Sequence, residues 1–85
     1  MEVIKTEEFL RVFATLPKEI QRLYQIQEER FLAGWRDPRL HAKAVRKLPD
    51  TLVFRITRRY RVFFYFQDEK TAIFFEVDHR KDIYK

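Results

Sequence analysis

The string DHRKDIYK near the end of the chain brings together side chains that suit phosphate chemistry. Those side chains belong to His79, Arg80, Lys81 and Tyr84. Metal-free cleavage of RNA needs a base that takes the proton of the 2′-hydroxyl, cations that stabilise the phosphorane, and an acid for the leaving 5′-oxygen. Histidine, lysine, arginine and tyrosine supply these functions. The competing interpretation is structural, with Tyr84 as an apolar anchor of the chain end and His79 as the cap of a strand.

Two further arginines lie inside segments whose pattern predicts strands. If the segments around Arg55 and Arg61 pair through a tight turn at 58–59, both arginines lie near that end of the hairpin and share a face. A charged residue on an aromatic ladder must find a partner or serve a ligand. Spacing alone favours the first interpretation, an ion pair with an acid such as Glu76 or Asp78.

No familiar enzyme motif accompanies these residues. The sequence has no phosphate-binding loop, zinc-ligand spacing or nucleophile elbow. It has no cysteine, which excludes a disulfide framework, a thiolate metal site and a cysteine nucleophile. Its two histidines, His41 and His79, are too few to predict a metal site. We therefore expect neither a metal nor a cofactor.

The positive charge of the chain lies in its second half. Residues 1–42 carry seven basic and seven acidic side chains, whereas residues 43–85 carry eleven basic and six acidic ones, which accounts for the net charge of +5. Positive charge gathered in one region predicts a polyanionic partner. Nucleic acid is favoured over a membrane surface, because the basic residues do not lie on an amphipathic lipid-binding helix. A basic face that serves only solubility is the competing interpretation.

Length and composition predict one globular domain, residues 1–85. Nine phenylalanines and four tyrosines offset the short chain with large apolar side chains. The absence of cysteine favours the reducing cytoplasm. Charges within MEVIKTEEFL and the lack of a long apolar run predict a protein that is neither secreted nor membrane-spanning.

The first half predicts a short strand and two antiparallel helices. The strand is residues 2–5, after which Thr6 caps a helix with acids in its first turn. Pro17 suits the first position of a second helix, which ends at about Ala33. Gly34 is expected to form a left-handed C-terminal cap, with Trp35 folded back on the last turn.

The second half predicts a three-stranded antiparallel meander. Residues 40–48 form a loop or a short irregular helix, and the strands are 51–57, 60–67 and 71–78. The expected fold is therefore α+β, with both helices packed on one face of a twisted sheet.

Four segments together resemble the RelE/ParE toxins of bacterial and archaeal toxin–antitoxin systems, over nearly the whole chain. They are LPKEIQ, DPRLHAKAVRKLPD, FRITRRYRVFFYF and HRKDIY. The resemblance implies a ribosome-dependent endonuclease that cleaves mRNA, inhibits translation and is neutralised by a cognate antitoxin. The ParE branch of the family inhibits gyrase instead, so a gyrase inhibitor or an inactive binding module of the same fold stays as an alternative.

The resemblance also implies roles for individual residues. Arg61 matches an arginine of the hairpin that binds phosphate in the family. Arg80 and Tyr84 match an arginine and a tyrosine near the C-terminus, and Arg55 lies at the position of a catalytic lysine. A second lysine of the RelE branch is replaced by Val53, which leaves the general base open between Tyr84 and His79. The residues expected to bind RNA are Lys43, Arg46, Lys47, Arg58, Arg59 and Lys81.

Overall fold

A computed structural model describes residues 1–79 of the chain. Its strands are β1 (Glu2–Lys5), β2 (Lys43–Ala44), β3 (Leu52–Arg55), β4 (Tyr60–Asp68) and β5 (Thr71–His79), and its helices are α1 (Glu7–Phe13) and α2 (Lys18–Ala33). The strands form one sheet in the order β1-β5-β4-β3-β2, in which β1 runs parallel to β5 and the other neighbours are antiparallel. The predicted α+β class is confirmed.

Local signals place the first helix where the sequence predicts it. The Thr6 hydroxyl oxygen accepts a hydrogen bond from the Phe9 N–H at 3.1 Å, as an N-cap does. The Thr6 N–H donates to the Phe74 carbonyl at 3.1 Å, so the cap is also tied to β5. The chain therefore turns directly from β1 into α1 at the edge of the sheet.

Both ends of α2 differ from the prediction. Pro17 is the N-cap instead of the first helical residue, since its ψ of 147° is extended and its carbonyl accepts the Gln21 N–H. Gly34 is extended, with φ at 176°, so the predicted left-handed cap is wrong. Because the chain leaves α2 extended, Trp35 reaches the sheet and packs against Phe66 with ring centroids 5.1 Å apart.

The core lies between the helices and one face of the sheet. At its centre the ring of Phe31, on α2, contacts Phe54, Phe64 and Phe74 at centroid distances of 5.5, 5.1 and 5.0 Å. All four side chains are fully buried. Each aromatic pair adds about 0.5–1.5 kcal/mol beyond its buried area, which helps a short chain to hold a stable core.

A second contact between sheet and helix is polar. The Lys5 ammonium lies 2.8 Å from Glu28 Oε1, and the Tyr24 hydroxyl donates a hydrogen bond to the same oxygen. Burial, reinforced by the nearby Glu28 carboxylate, raises the pKa of Tyr24 far above its ordinary value. The phenol therefore stays neutral and serves as a donor that links α2 to β1 through the carboxylate.

Residues 40–48 contain a strand that the sequence did not predict. Lys43 and Ala44 pair with Val53 and Leu52, so β2 forms the edge of the sheet beside β3. Before it, Pro38–Leu40 forms a 3₁₀ turn. A two-residue strand has no periodicity to detect, and its conformation comes from pairing with β3.

The hairpin between β3 and β4 is also wider than predicted. Strand β3 ends at Arg55, and the N–H groups of Ile56 and Thr57 both donate to the Tyr60 carbonyl. The connection therefore spans the four residues 56–59 instead of a tight two-residue turn.

Candidate nucleic-acid interface

The sheet face turned away from the helices is here called the open face. Side chains alternate between faces along a strand, so the residues opposite the core positions define it. Its members include Lys43, Val53, Arg55, Arg61, Phe63, Tyr65, Ile73 and Asp78. Neither α1 nor α2, the two helices of residues 1–79, covers this face.

Arg55 and Arg61 are direct neighbours on the open face. They are paired Cα positions of β3 and β4, which confirms the prediction that they share a face. Residues directly opposite each other in an antiparallel pair have Cβ atoms about 4.5–5.5 Å apart, so two like charges there repel. An anion beside them would relieve that repulsion.

Asp78 supplies one such anion. It is the Cα partner of Arg61 across β4 and β5, and its Oδ2 accepts from Arg61 Nε and Nη2 at 3.2 and 3.0 Å. The guanidinium also lies 4.9 Å from the centre of the Phe63 ring. The ion-pair interpretation thus holds for Arg61. Within residues 1–79, Arg55 forms no ion pair.

The pair leaves Arg61 able to contact a ligand. Both contacts go to one carboxylate oxygen and use only Nε and Nη2. The side chain is 28% exposed. A planar guanidinium has further N–H donors, which can bind a phosphate oxygen while Asp78 holds the other edge.

A hollow of about 510 Å³ opens beside Arg61 on this face. It is lined by Lys43, Ala44, Val45, Arg46, Val53 and Arg61. Val53 is almost completely buried and forms an apolar part of the wall. Three cations around an apolar surface suit an anionic group that carries a ring, as a nucleotide does.

Strand β2 places Lys43 next to Val53, the position where the resemblance to the RelE branch predicts a lysine. Lys43 is the Cα partner of Val53, so its ammonium is carried on the same face, one strand away. From the sequence, Lys43 is expected to bind RNA and to lie in a loop or a short irregular helix. The signal that would have found its strand position is the pairing itself, which the sequence does not display.

Other basic residues of the second half lie farther from the hollow. Lys47 is exposed in the turn after β2, and Arg59 is exposed in the connection between β3 and β4, where its N–H donates to Thr57 Oγ1. Arg58 borders a different cavity, next to α2. The structure therefore does not gather all the predicted RNA-binding residues at one place.

His79 lies on the opposite face of β5 from Asp78. It is the Cα partner of Tyr60, and the two rings stack in parallel with centroids 4.3 Å apart. The structure therefore does not bring the His79 imidazole beside Arg61. The other C-terminal candidates, Arg80, Lys81 and Tyr84, lie outside the described residues.

The far end of the open face is apolar. Phe75 contacts Tyr65 and Phe63, with ring centroids 5.7 and 6.3 Å apart. Tyr65 and, on β1, Ile4 are 40% and 41% exposed. The open face thus has a cationic end at Arg61 and an apolar end at Tyr65. Exposed apolar surface of this kind marks interaction sites.

Two classes of site are not found in residues 1–79. No group of histidine and acidic side chains there could hold a metal ion. Neither of the helices described is long and apolar enough to cross a membrane.

Several solved structures with a similar fold come from toxin–antitoxin complexes. A chain of the RelB–RelE complex from Methanococcus jannaschii has a TM-score of 0.75 at 21% identity, covering 95% of this chain and 94% of that one. A chain of the intact RelBE complex of E. coli has a TM-score of 0.72 at 18% identity, covering 94% of this chain and 96% of that one. A chain of the RelBE2 complex of Mycobacterium tuberculosis has a TM-score of 0.64 at 31% identity, covering 93% of this chain and 96% of that one. No protein-family model and no curated protein matches the chain.

Fold and site together define a class, a small α+β protein whose sheet has one helix-covered face and one open cationic face. Its fold is that of the solved RelE toxin structures. The 31% identity to a chain of the M. tuberculosis complex extends over nearly the full length of both chains. The protein therefore belongs to the RelE/ParE family of toxins, which confirms the resemblance in its sequence.

Proposed function

We propose that the protein is the toxin of a toxin–antitoxin system, a single domain of residues 1–85 that acts in the cytoplasm by cleaving mRNA on the ribosome. The observation that carries this proposal is the hollow on the open face, where Lys43, Arg46 and Arg61 surround a space wide enough for a nucleotide. Family membership supplies the reaction class, and the cations supply the means to bind a phosphodiester.

In the proposed reaction, Arg61 and Arg55 hold the scissile phosphate and stabilise the phosphorane. Arg80 then stabilises the charge on the leaving 5′-oxygen, which takes its proton from water, and Tyr84 assists removal of the proton from the 2′-hydroxyl. The 2′-oxygen attacks phosphorus and the bond to the 5′-oxygen breaks, which gives a 2′,3′-cyclic phosphate and a 5′-hydroxyl. Tyr84 is preferred over His79 as the base because the His79 ring stacks on Tyr60, on the other face of β5.

Such a site depends on the ribosome for its rate. Arginine is a feeble proton donor or acceptor at neutral pH, so the free protein is expected to be a poor nuclease. Holding the reacting groups in line can contribute several powers of ten in rate. The ribosome is proposed to align the mRNA in this way.

Primer extension on mRNA bound to purified ribosomes tests the proposal. The wild type should cut within translated codons, and Arg61→Gln should cut about a hundredfold more slowly, the usual effect of losing one preorganised charge contact. Arg22→Gln is the matched control, because Arg22 is exposed on α2 and pairs only with Glu19 in the described chain. Intact mRNA accompanied by double-strand DNA breaks would instead support a gyrase inhibitor.

One observation favours an inactive binding module as the second candidate. The Arg61 guanidinium already has a carboxylate partner in Asp78. If that pair is structural, Arg61→Gln should lower the melting temperature and leave ribosomal mRNA intact in both variants and the wild type. Circular dichroism on the same samples separates this case from a loss of catalysis.

We also propose that a cognate antitoxin binds the open face, as the related chains come from toxin–antitoxin complexes. The face offers exposed apolar anchors at Ile4 and Tyr65 and cations at Arg61 and Arg55. An acidic amphipathic segment matches both properties. The antitoxin would then cover the hollow and exclude mRNA.

A further inference from the structure

A buried glutamine on α2 holds the end of the strand that carries Arg55. Gln27 is only 5% exposed, and its amide nitrogen donates to the carbonyls of Arg55 and Arg39 at 2.6 and 3.1 Å. Its Oε1 accepts a hydrogen bond from Arg30 Nη1 at 2.9 Å. The two N–H donors thus meet two carbonyls, and the reverse orientation of the amide would place its oxygen against theirs. These contacts therefore fix both the glutamine side chain and the strand end.

The outer side of this strand end has no strand partner within residues 1–79. Strand β2 pairs with only the first two residues of β3. The Ile56 N–H donates to the Tyr60 carbonyl, which makes these two residues a hydrogen-bonded pair. The preceding pair, Arg55 and Arg61, is therefore of the non-hydrogen-bonded kind, and the Arg55 carbonyl points away from β4. The Gln27 amide binds this carbonyl where a neighbouring strand would otherwise do so.

Repulsion between like charges acts on the same strand end. Side chains of a non-hydrogen-bonded pair lie closer together than those of a hydrogen-bonded pair, so Arg55 and Arg61 repel each other. Asp78 holds the Arg61 side chain. Gln27 ties the Arg55 backbone to α2, and α2 packs on both β3 and β4 through Phe31. The hydrogen bond therefore limits how far the end of β3 can move away from β4.

We infer that Gln27 is a positioning residue of the proposed RNA cleavage site, which acts through Arg55 and does not touch the RNA. Arg55 and Arg61 can bind one phosphate together only if their backbones keep the spacing of the paired strands. Gln27 fixes the Arg55 side of that spacing before RNA binds. Charged groups held in place beforehand stabilise a transition state without the cost of rearrangement. The inference rests on the proposed function and adds a residue on the helix-covered side of the sheet.

Single-turnover cleavage of mRNA on purified ribosomes, measured at increasing toxin concentration, separates the rate of the chemical step from binding. Gln27→Met keeps the length of the side chain and removes its hydrogen-bonding groups. It should slow the saturated rate by about ten- to a hundredfold, the effect of a small displacement of a group at the reacting centre. The half-saturating concentration should change by less than about twofold, because the cations of the open face all remain.

Leu23→Ala is the matched control for lost stability. Leu23 lies one turn before Gln27 on α2, lines the same cavity and packs against the core. Its truncation should lower the melting temperature and leave the saturated rate near that of the wild type, at a temperature where circular dichroism shows both variants folded. Equal losses of rate in Leu23→Ala and Gln27→Met would overturn the inference.

A double-mutant cycle tests whether Gln27 acts through Arg55. Arg55→Gln removes the guanidinium that Gln27 is inferred to position, so adding Gln27→Met should slow that variant by less than about threefold. Independent effects would instead multiply, which would contradict the inference. If Gln27→Met is unfolded, Gln27→Glu takes its place, because an ionised carboxylate keeps an acceptor for Arg30 and loses both donors. A folded Gln27→Glu variant that cleaves at the wild-type rate also rules out the positioning role.

Failure of the inference differs from failure of the proposed function. If cleavage depends on Arg61 and Gln27→Met cleaves at the wild-type rate, the function stands and the positioning role is lost. A wild type that leaves ribosome-bound mRNA intact removes both.

Discussion

At the scale of single residues, the pairing of Arg61 with Asp78 sets the charge that the proposed RNA substrate would encounter. Arg61 faces Arg55 on one side and Asp78 on the other, so one carboxylate partly neutralises two guanidinium groups. A phosphate that approaches the hollow must compete with that carboxylate for Arg61. Asp78 therefore holds Arg61 in position and also lowers its attraction for anions.

Replacing Asp78 tests this competition. Asp78→Asn keeps the size of the side chain and removes its charge, so RNA affinity should rise by about two- to fivefold, the usual range for one partly exposed charge contact. Fluorescence anisotropy with an uncleavable RNA measures it. Glu8→Gln is the control, since it removes one negative charge from an exposed pair on α1. Weaker binding by Asp78→Asn than by the control would mean that Asp78 acts chiefly by positioning Arg61.

At the scale of elements, the 3₁₀ turn at Pro38–Leu40 is held by a charged cap. Asp37 accepts from the Arg39 N–H and from the Arg39 guanidinium at 2.8–3.1 Å. These hydrogen bonds lower the pKa of Asp37 to about 2. The ionised carboxylate therefore stabilises the turn.

This depressed pKa predicts a pH dependence of stability. Because the folded pKa of Asp37 lies below its unfolded value, its contribution is present above about pH 4 and is lost as the pH falls through about 2. Melting temperatures of wild type and Asp37→Asn should differ at pH 6 and converge towards pH 2. A difference that stays constant with pH would show that the charge of Asp37 has no part in the effect.

The docking of α2 on the sheet depends on Phe31. Its ring contacts three phenylalanines on three different strands, so Phe31→Ala should cost about 3–5 kcal/mol of unfolding free energy, as large-to-small changes in aromatic cores do. Leu32→Ala, at the next position, is the control because Leu32 is 43% exposed. Urea denaturation measures both. Similar losses for the two variants would contradict the central place of Phe31 in the core.

At the scale of the whole molecule, charge and apolar surface are divided between the two ends of one face. Complementary charge speeds association, whereas buried apolar anchors slow dissociation. A partner that uses both ends should therefore bind faster at low salt and, once bound, resist moderate salt. The proposed antitoxin has both kinds of contact available to it.

Association kinetics of the cognate antitoxin, the acidic or DNA-binding protein expected from the neighbouring gene, test this division. The rate for the wild type should fall as ionic strength rises, and neutralising Lys43 and Arg46, which line the hollow beside Arg61, should flatten that dependence. Dissociation should respond more to Tyr65→Ala at the apolar end. Rates that ignore salt in both the wild type and the charge variant would place the antitoxin on the helices instead of the open face.

Sequence by itself determined the features that follow from local chemistry. The cap at Thr6, the strands 60–67 and 71–78 and the shared face of Arg55 and Arg61 agree with the structure within a residue or two at the ends. Capping and side-chain alternation depend on neighbours within a few positions, so they are visible in the sequence. The charge excess in residues 43–85 likewise predicted a cationic face.

Only the tertiary structure decided which side chains meet. Two residues of β5 oppose Phe63, and this bulge pairs Arg61 with Asp78, whereas the register on the other side of the bulge would pair Arg61 with Val77. A shift of one residue reverses the face of every side chain, and no local pattern fixes it. For the same reason the sequence did not reveal β2, whose two residues gain their conformation from pairing with β3, or the hydrogen bond from the buried Gln27 amide nitrogen to the Arg55 carbonyl. Contacts between residues far apart in the chain depend on how the elements pack.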